Sequence, residues 1–169
     1  MKNNNLKKLV LIAMLIALNI IFSRLISISA WNFKISLTFI TGLIAGYFYG
    51  PLWSAVVCGV GDLIGSLLFP IGEYNPLFTL TAIVSGLIYG FFLYDNLETK
   101  NVIIAVLLNQ LGCSLLLNTL FISIVYNTSY VHLLATRVVQ SVVMLLIEFV
   151  VIKGLSVFLT KLRKKVVNE

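Results

Sequence analysis

The sequence predicts an all-α integral membrane protein with six transmembrane helices and both termini in the cytoplasm. Of the 169 residues, 60% are hydrophobic and 11% are charged, whereas about 25% of the residues of soluble globular proteins are charged. The mean hydropathy of +1.05 points the same way. Because a helix needs about 20 residues to cross the hydrocarbon, the chain holds about six spans. We therefore expect residues 1–169 to form a single membrane-embedded domain.

Charged residues and Pro or Gly positions separate six apolar stretches, which we interpret as the spans. The predicted spans cover residues 6–26, 36–49, 51–69, 77–94, 102–126 and 133–160. The second span is short, about 21 Å at 1.5 Å per residue, and ends abruptly at Gly50-Pro51. Short spans that glycine interrupts often line the binding cavity of a transporter.

Basic residues set the predicted orientation, because lysine and arginine concentrate in the cytoplasmic segments of membrane proteins. They cluster near both ends of the sequence: Lys2, Lys7, Lys8, Lys161, Arg163, Lys164 and Lys165. Both termini are therefore predicted to be cytoplasmic, and the loops at 27–35, 70–76 and 127–132 to be exterior. Since the basic residues flank spans and form no stripe with aromatic residues, we expect contact with the lipid bilayer and no nucleic-acid partner.

Asp62 is the first functional-site candidate, because it is a carboxylate inside the apolar stretch 51–69 with no nearby basic residue in the sequence. An ionisable group in hydrocarbon costs about 3 kcal/mol or more, so it normally faces a protein interior or a water-filled cavity. Counting from Pro51 places Asp62 about 16 Å along the span, just past the midplane toward the exterior.

Four more polar residues are expected in the exterior half: Arg24, Lys34, Asn118 and Arg137. Together with Asp62 they predict a polar pocket open to the exterior, and nothing comparable is predicted in the inner half. One alternative is that Asp62 only pairs with Arg24 or Arg137 to hold helices together. Because the cations outnumber the acid in this half, we favour a pocket for an anionic ligand.

Glu148 and Lys153 lie in the last predicted span and are interpreted as structural residues. They are five positions apart, too far around a helix for an ideal pair. The single histidine, His132, falls in a predicted loop and is interpreted as exposed or interfacial.

Aromatic residues gather in the predicted exterior region: Trp31, Phe33, Phe69, Tyr74, Phe78, Tyr126 and Tyr130. An interfacial belt explains Trp and Tyr at this depth, and stacking against a flat ligand is the alternative.

Small residues at four-residue spacing predict close helix contacts. Glycine pairs such as Gly61/Gly65 and Gly86/Gly90 are interpreted as internal packing. Ala13 and Ala17 lie on the first span, where a smooth face on an edge helix predicts docking of an external partner.

The sequence contains no G-x-x-x-x-G-K-[ST] phosphate loop, no metal-ligand cluster and no nucleophile–base pair at catalytic spacing. We therefore expect a protein that is not an enzyme, with no catalytic residue, no metal site and no cofactor.

Several segments in the first half resemble one family of membrane proteins. They are ALNIIFSR at 17–24, Gly50-Pro51, GDLIG at 61–65, LFP at 68–70, FTL at 78–80 and GLIYG at 86–90. These resemble the folate-specific substrate-binding (S) component of energy-coupling factor (ECF) vitamin transporters. The likeness spans about residues 13–94, and beyond it only the size and the number of spans are similar.

The resemblance implies a multi-pass protein of the bacterial cell membrane that binds folate from the exterior. It also implies docking on a transmembrane coupling protein (EcfT type) with two cytoplasmic ATPases (EcfA type), through the Ala13/Ala17 face.

The resemblance also implies roles for the candidate site residues. Asp62 would accept the amino group and ring N–H of the pterin together. The glutamate tail would meet one of three cations: Arg24, Lys34 or Arg137. Stacking on the flat rings would involve three aromatic residues: Trp31, Phe69 and Tyr74. The chain carries Lys34 where the family carries arginine, and lysine lacks the fork that grips a carboxylate bidentately.

Three alternatives to this function remain. The chain could be an S component for another vitamin or a modified base. It could also be a self-sufficient secondary transporter in which Asp62 or Glu148 carries a coupling proton, or a purely structural membrane subunit.

Overall fold

The computed structural model of the protein describes residues 2–29, 34–70 and 74–167. Over these residues the chain forms six helical elements. The first is α1 (Lys2–Ile20), which continues as a π-helical turn (Ile21–Leu25), and α2 (Thr38–Tyr49), α3 (Pro51–Leu68) and α4 (Pro76–Leu93) follow it. Helix α5 comprises Thr99–Leu107, a π-helical segment at Leu108–Leu117 and a last part at Asn118–Tyr126, and α6 is Tyr130–Val167. Between α1 and α2, strands β1 (Ile28–Ser29) and β2 (Lys34–Ile35) pair antiparallel.

Five of these helices are long and apolar enough to cross a membrane, and α2 is a shorter apolar helix of 12 residues. At 1.5 Å per residue, α2 is only about 18 Å long. The predicted all-α membrane fold, including its short second helix, is confirmed. The last helix is longer than the predicted span 133–160, and the cytoplasmic orientation of the termini stays a prediction.

Glycine and proline residues define where the central helices begin and end. Gly50 adopts a φ of 86°, a conformation that glycine reaches without steric cost, so α2 ends and α3 begins at once. Pro51 and Pro76 occupy the first turns of α3 and α4, where the missing N–H has no helical partner to lose. The Asn75 side chain accepts a 2.9 Å hydrogen bond from the Leu77 N–H and so caps α4.

Helices α2, α3 and α4 approach one another at glycine residues. A Cβ atom on Gly86 would lie 2.6 Å from the Ser54 carbonyl oxygen, and one on Gly46 would lie 2.9 Å from the Gly90 Cα. A Cβ atom on Gly90 would overlap the Pro51 Cα. These contacts confirm the predicted packing role of Gly86/Gly90, and they make the three helices a tightly packed wall.

The largest apolar core lies at the end of the bundle where α4 ends and α5 begins. It contains fully buried side chains from α2, α4, α5 and α6, among them Leu43, Leu93, Val106 and Ile152. The predicted orientation places this end on the cytoplasmic side. The opposite end of the same helices carries polar side chains instead.

Arg163 attaches the end of α6 to this core. Its Nε lies 2.8 Å from Asp95 Oδ1, its guanidinium donates to the Tyr47 carbonyl, and it lies 5.0 Å from the centroid of the Tyr47 ring. This contact connects α6 to α2 and to the turn between α4 and α5.

Replacement of Gly90 by alanine is expected to destabilise the protein, because the added methyl group meets the backbone of Pro51. Overpacking of this kind costs about 1–3 kcal/mol. Thermal unfolding in detergent would measure the loss as a lower Tm. The matched control is Gly154→Ala, since a Cβ atom there meets nothing within 4 Å. Equal Tm values for the two variants would show that the α3–α4 contact is not tight.

Candidate functional site

A cavity of about 370 Å³ lies between the helices, and all six contribute side chains to it. Its volume falls within the range of about 300–1,000 Å³ found for small-molecule sites. Tyr74, in the connection between α3 and α4, lines it and is 42% exposed. The cavity therefore reaches the surface at the end of the bundle that is predicted to face the exterior.

Near this open end, Asp62 meets two partners. Its Oδ1 lies 3.6 Å from Arg24 Nη2, and its Oδ2 accepts a 2.9 Å hydrogen bond from the Thr79 hydroxyl. The Arg24 Nε is buried and has no hydrogen-bond partner among the residues that the structure describes. The predicted convergence of Arg24 and Asp62 is thus observed, and the guanidinium keeps one N–H available inside the protein.

The GDLIG segment explains how α1 comes close enough for this contact. A Cβ atom on Gly61 would lie 2.6 Å from Asn19 Oδ1, and one on Gly65 would lie 3.2 Å from Arg24 Nε. The two glycines therefore leave room for side chains of α1, while Asp62, next to Gly61, lines the cavity. Asn19 is itself fixed by a 2.7 Å hydrogen bond to the Thr41 hydroxyl.

A second polar group, which we call the deep group, consists of Tyr89, Asn109, Gln110 and Glu148. The Tyr89 hydroxyl donates to Glu148 Oε2 at 2.9 Å, and Gln110 Nε2 donates to Glu148 Oε1 at 2.6 Å. Asn109 Nδ2 donates to the Tyr89 hydroxyl oxygen at 2.7 Å. Exposure of these four side chains is between 1% and 8%.

The deep group lies farther than Asp62 does from the end of the bundle that is predicted to face the exterior. Tyr89 follows Thr79, the partner of Asp62, by ten positions on α4, which is about 15 Å along the helix. The prediction that nothing comparable lines the inner part of the bundle was therefore wrong. Glu148 lines the cavity, whereas Lys153 donates to the Thr99 hydroxyl at 2.6 Å. The sequence does contain an indication of this group. Glu148, Asn109 and Gln110 are polar residues within apolar stretches, and such residues normally face a protein interior or a cavity, which is the argument that also identified Asp62.

Both π-helical segments carry cavity residues. Arg24 belongs to Ile21–Leu25, and Asn109 and Gln110 belong to Leu108–Leu117. A π-helix has more residues per turn than an α-helix, so that neighbouring side chains diverge less around the axis, and such segments are frequent at functional sites. This geometry explains how the adjacent Asn109 and Gln110 both line one cavity.

The other predicted site residues divide into three sets. Asn118 and Arg137 line the cavity; Asn118 Oδ1 accepts from the Thr81 hydroxyl at 2.9 Å, and Arg137 donates to the Ser114 carbonyl at 3.2 Å. Phe69 is 48% exposed and does not line the cavity. Trp31 and the side chain of Lys34 lie outside the described part of the protein.

The predicted docking face on α1 is uncovered. Ala13 and Ala17 are exposed, and apolar neighbours on the same helix are exposed as well, including Val10 and Met14. Over the described ranges, no group of three or more His, Cys, Asp or Glu side chains is placed to hold a metal ion.

Comparison with known proteins assigns the chain to a family. The profile of the ECF transporter substrate-specific component matches residues 7–159. A folate transporter FolT of Clostridium novyi is 34% identical over 147 residues, which cover 86% of each protein. A FolT of Leuconostoc mesenteroides is 35% identical over 102 residues, 59% of this chain and 55% of that protein.

Among solved structures, a crystal structure of FolT bound with folic acid matches with a TM-score of 0.84 and 33% sequence identity. The match covers 88% of this chain and 92% of the other. The family profile extends over most of the chain, well beyond the segments of the first half. The chain therefore belongs to the family of substrate-specific components of ECF transporters.

Proposed function

We propose that this chain is the high-affinity folate-binding subunit of an ECF-type importer in the bacterial cell membrane. The observation that carries the proposal is the match, at a TM-score of 0.84 and 33% identity, with a FolT that is bound to folic acid. A similarity that covers nearly the whole chain supports a ligand of the same class in the cavity.

The chemistry of the cavity supports the same ligand. Folate combines a flat pterin ring, which carries adjacent N–H donors, with a glutamate tail that carries carboxylates. The carboxylates of Asp62 and Glu148 line the cavity and can accept from the pterin donors. The guanidinium groups of Arg24 and Arg137 also line it and can pair with the carboxylates of the tail. Charge-assisted contacts of both kinds are stronger than neutral hydrogen bonds.

The roles taken from the sequence extend this proposal to individual residues. Asp62 is proposed to face the pterin, with Asn118 beside it, and the cations are proposed to meet the tail. Lys34, Trp31 and Phe69 are proposed to join from the exterior connections, and Tyr74 to stack on the ligand where it lines the cavity. Because two carboxylates line the cavity, the donor edge of the ring has two candidate acceptors.

Asp62→Asn is expected to weaken folate binding about tenfold or more, since hydrogen bonds to a charged group are worth about 1.5–3 kcal/mol. The same result follows whether Asp62 contacts the ring or holds Arg24 in place. Isothermal titration of the purified chain with folate would measure the change.

Asp95→Asn is the matched control, because Asp95 also pairs with an arginine but lies at the other end of the bundle. Unchanged folate affinity in Asp62→Asn would remove Asp62 from the site. A wild-type chain that binds another vitamin in preference to folate would overturn the proposed ligand.

We further propose that the chain works with a transmembrane coupling protein and two cytoplasmic ATPases. The sequence has no phosphate-binding loop of the G-x-x-x-x-G-K-[ST] type, so the energy for uptake must come from a partner or an ion gradient. The exposed Ala13/Ala17 face on α1 supports docking, because small residues let another helix approach closely.

Ala13→Trp is expected to abolish ATP-driven folate uptake by the assembled complex while leaving folate binding unchanged, since the bulky ring holds the partner helix away. Uptake in vesicles and titration of the isolated chain would measure the two activities. The control is Val150→Trp, at a 66% exposed position on α6. Uptake by this chain alone, driven by a pH gradient without ATP, would instead establish a secondary transporter.

A further inference from the structure

The deep group has hydrogen-bonding capacity that the protein itself does not use. Asn109 Oδ1 and Gln110 Oε1 are buried, and no hydrogen-bond donor reaches either of them within the described residues. Both side chains line the cavity, and they are 8% and 3% exposed. Buried polar atoms are nearly always paired in folded proteins, so two unpaired acceptors beside a cavity point to a ligand.

The network determines which atoms of the deep group remain without a partner. A carboxylate only accepts hydrogen bonds, so Gln110 must present its amide NH₂ to Glu148. The single Tyr89 hydroxyl proton goes to Glu148, so Tyr89 accepts from Asn109 through the amide NH₂ of that residue. Each amide therefore has its donor side engaged and its carbonyl oxygen left over. The deep group therefore has unpaired hydrogen-bond acceptors, which the hydrogen-bond donors of a ligand would satisfy.

Glu148 differs from Asp62 in its charge environment. Asp62 has Arg24 beside it, whereas no described Lys or Arg nitrogen lies within 4.0 Å of the Glu148 carboxylate. Its observed partners are the neutral Tyr89 and Gln110. A carboxylate that has neutral partners only retains more capacity to attract the donors of a ligand than one that already meets a guanidinium.

We propose that the deep group, and not Asp62, binds the donor edge of the ligand's heterocycle, formed by an amino group beside a ring N–H. Glu148, Asn109 Oδ1 and Gln110 Oε1 accept the three N–H bonds of this edge. Asp62 is then a positioning residue that orients Arg24, whose free Nε–H side serves the ligand's carboxylates nearer the exterior. This inference rests on the proposed function and sets the orientation of folate in the cavity.

This assignment reverses the role predicted for Asp62 from the sequence, and ligand chemistry distinguishes the two orientations. The probe pair is folate and its 2-desamino analogue, in which a hydrogen atom replaces the amino group of the ring. The ratio of the two affinities measures how much the amino group contributes to binding. A residue that only supports the fold changes both affinities by the same factor and leaves this ratio unchanged.

Titrations of the full-length chain would compare the wild type with Glu148→Gln and Asp62→Asn. We expect the wild type to bind folate roughly 10- to 100-fold more tightly than the analogue. In Glu148→Gln this preference should fall to a few-fold, and in Asp62→Asn it should persist although both ligands bind more weakly. Loss of the preference in Asp62→Asn together with its retention in Glu148→Gln would overturn the inference.

Asn109→Leu provides a second test if Glu148→Gln does not fold, because leucine has a similar shape and Asn109 is neither donor nor acceptor in the Tyr89–Glu148 hydrogen bond. It should also reduce the preference for folate, and full retention of the preference would contradict the proposal. Glu98→Gln, at an exposed acid outside this cavity, serves as the control.

Failure of the wild type to bind folate would overturn the proposed function as well, whereas folate binding with the opposite pattern would overturn only the orientation.

Discussion

The structure depends on holding two carboxylates, the buried Glu148 and the partly buried Asp62, inside a bundle that lipid surrounds. A charge in hydrocarbon is costly unless protein groups replace water around it, and this chain meets that requirement in two ways. Asp62 has a guanidinium and a hydroxyl beside it, whereas Glu148 has a phenol and an amide. Both acids line the cavity between the helices.

Two kinds of helix build this enclosure. Glycine contacts join α2, α3 and α4 so closely that a single methyl group at Gly90 has no room. In contrast, α1 and α5 contain π-helical turns, and these turns carry Arg24, Asn109 and Gln110. A closely packed wall therefore faces two irregular helices that supply much of the polar lining, which fits the frequent occurrence of π-helical turns at functional sites.

The sequence was informative where one residue contrasted with an apolar neighbourhood. Asp62 was found because it stands alone in its span, and Gly61 and Gly65 indicated a close helix contact. Asn109 and Gln110 were missed because counting along a regular helix does not anticipate a π-helical segment, in which adjacent side chains diverge less around the axis. Glu148 was assigned by its distance from Lys153 along one helix, but its partners lie on α4 and α5. Pairing across helices depends on packing that sequence spacing does not contain.

Helix α1 has one face that is buried in the bundle and one that is exposed. Ile12, Asn19 and Ser23 are buried toward the bundle, whereas Ala13 and Ala17 are exposed. At about 100° per residue, the two sets are separated by roughly 130° around the axis. A partner that docks on the alanine face therefore does not compete for the side chains that line the cavity, although both contacts belong to one helix. If the proposed docking moves α1 as a body, it shifts Arg24 relative to Asp62 and so acts on the site.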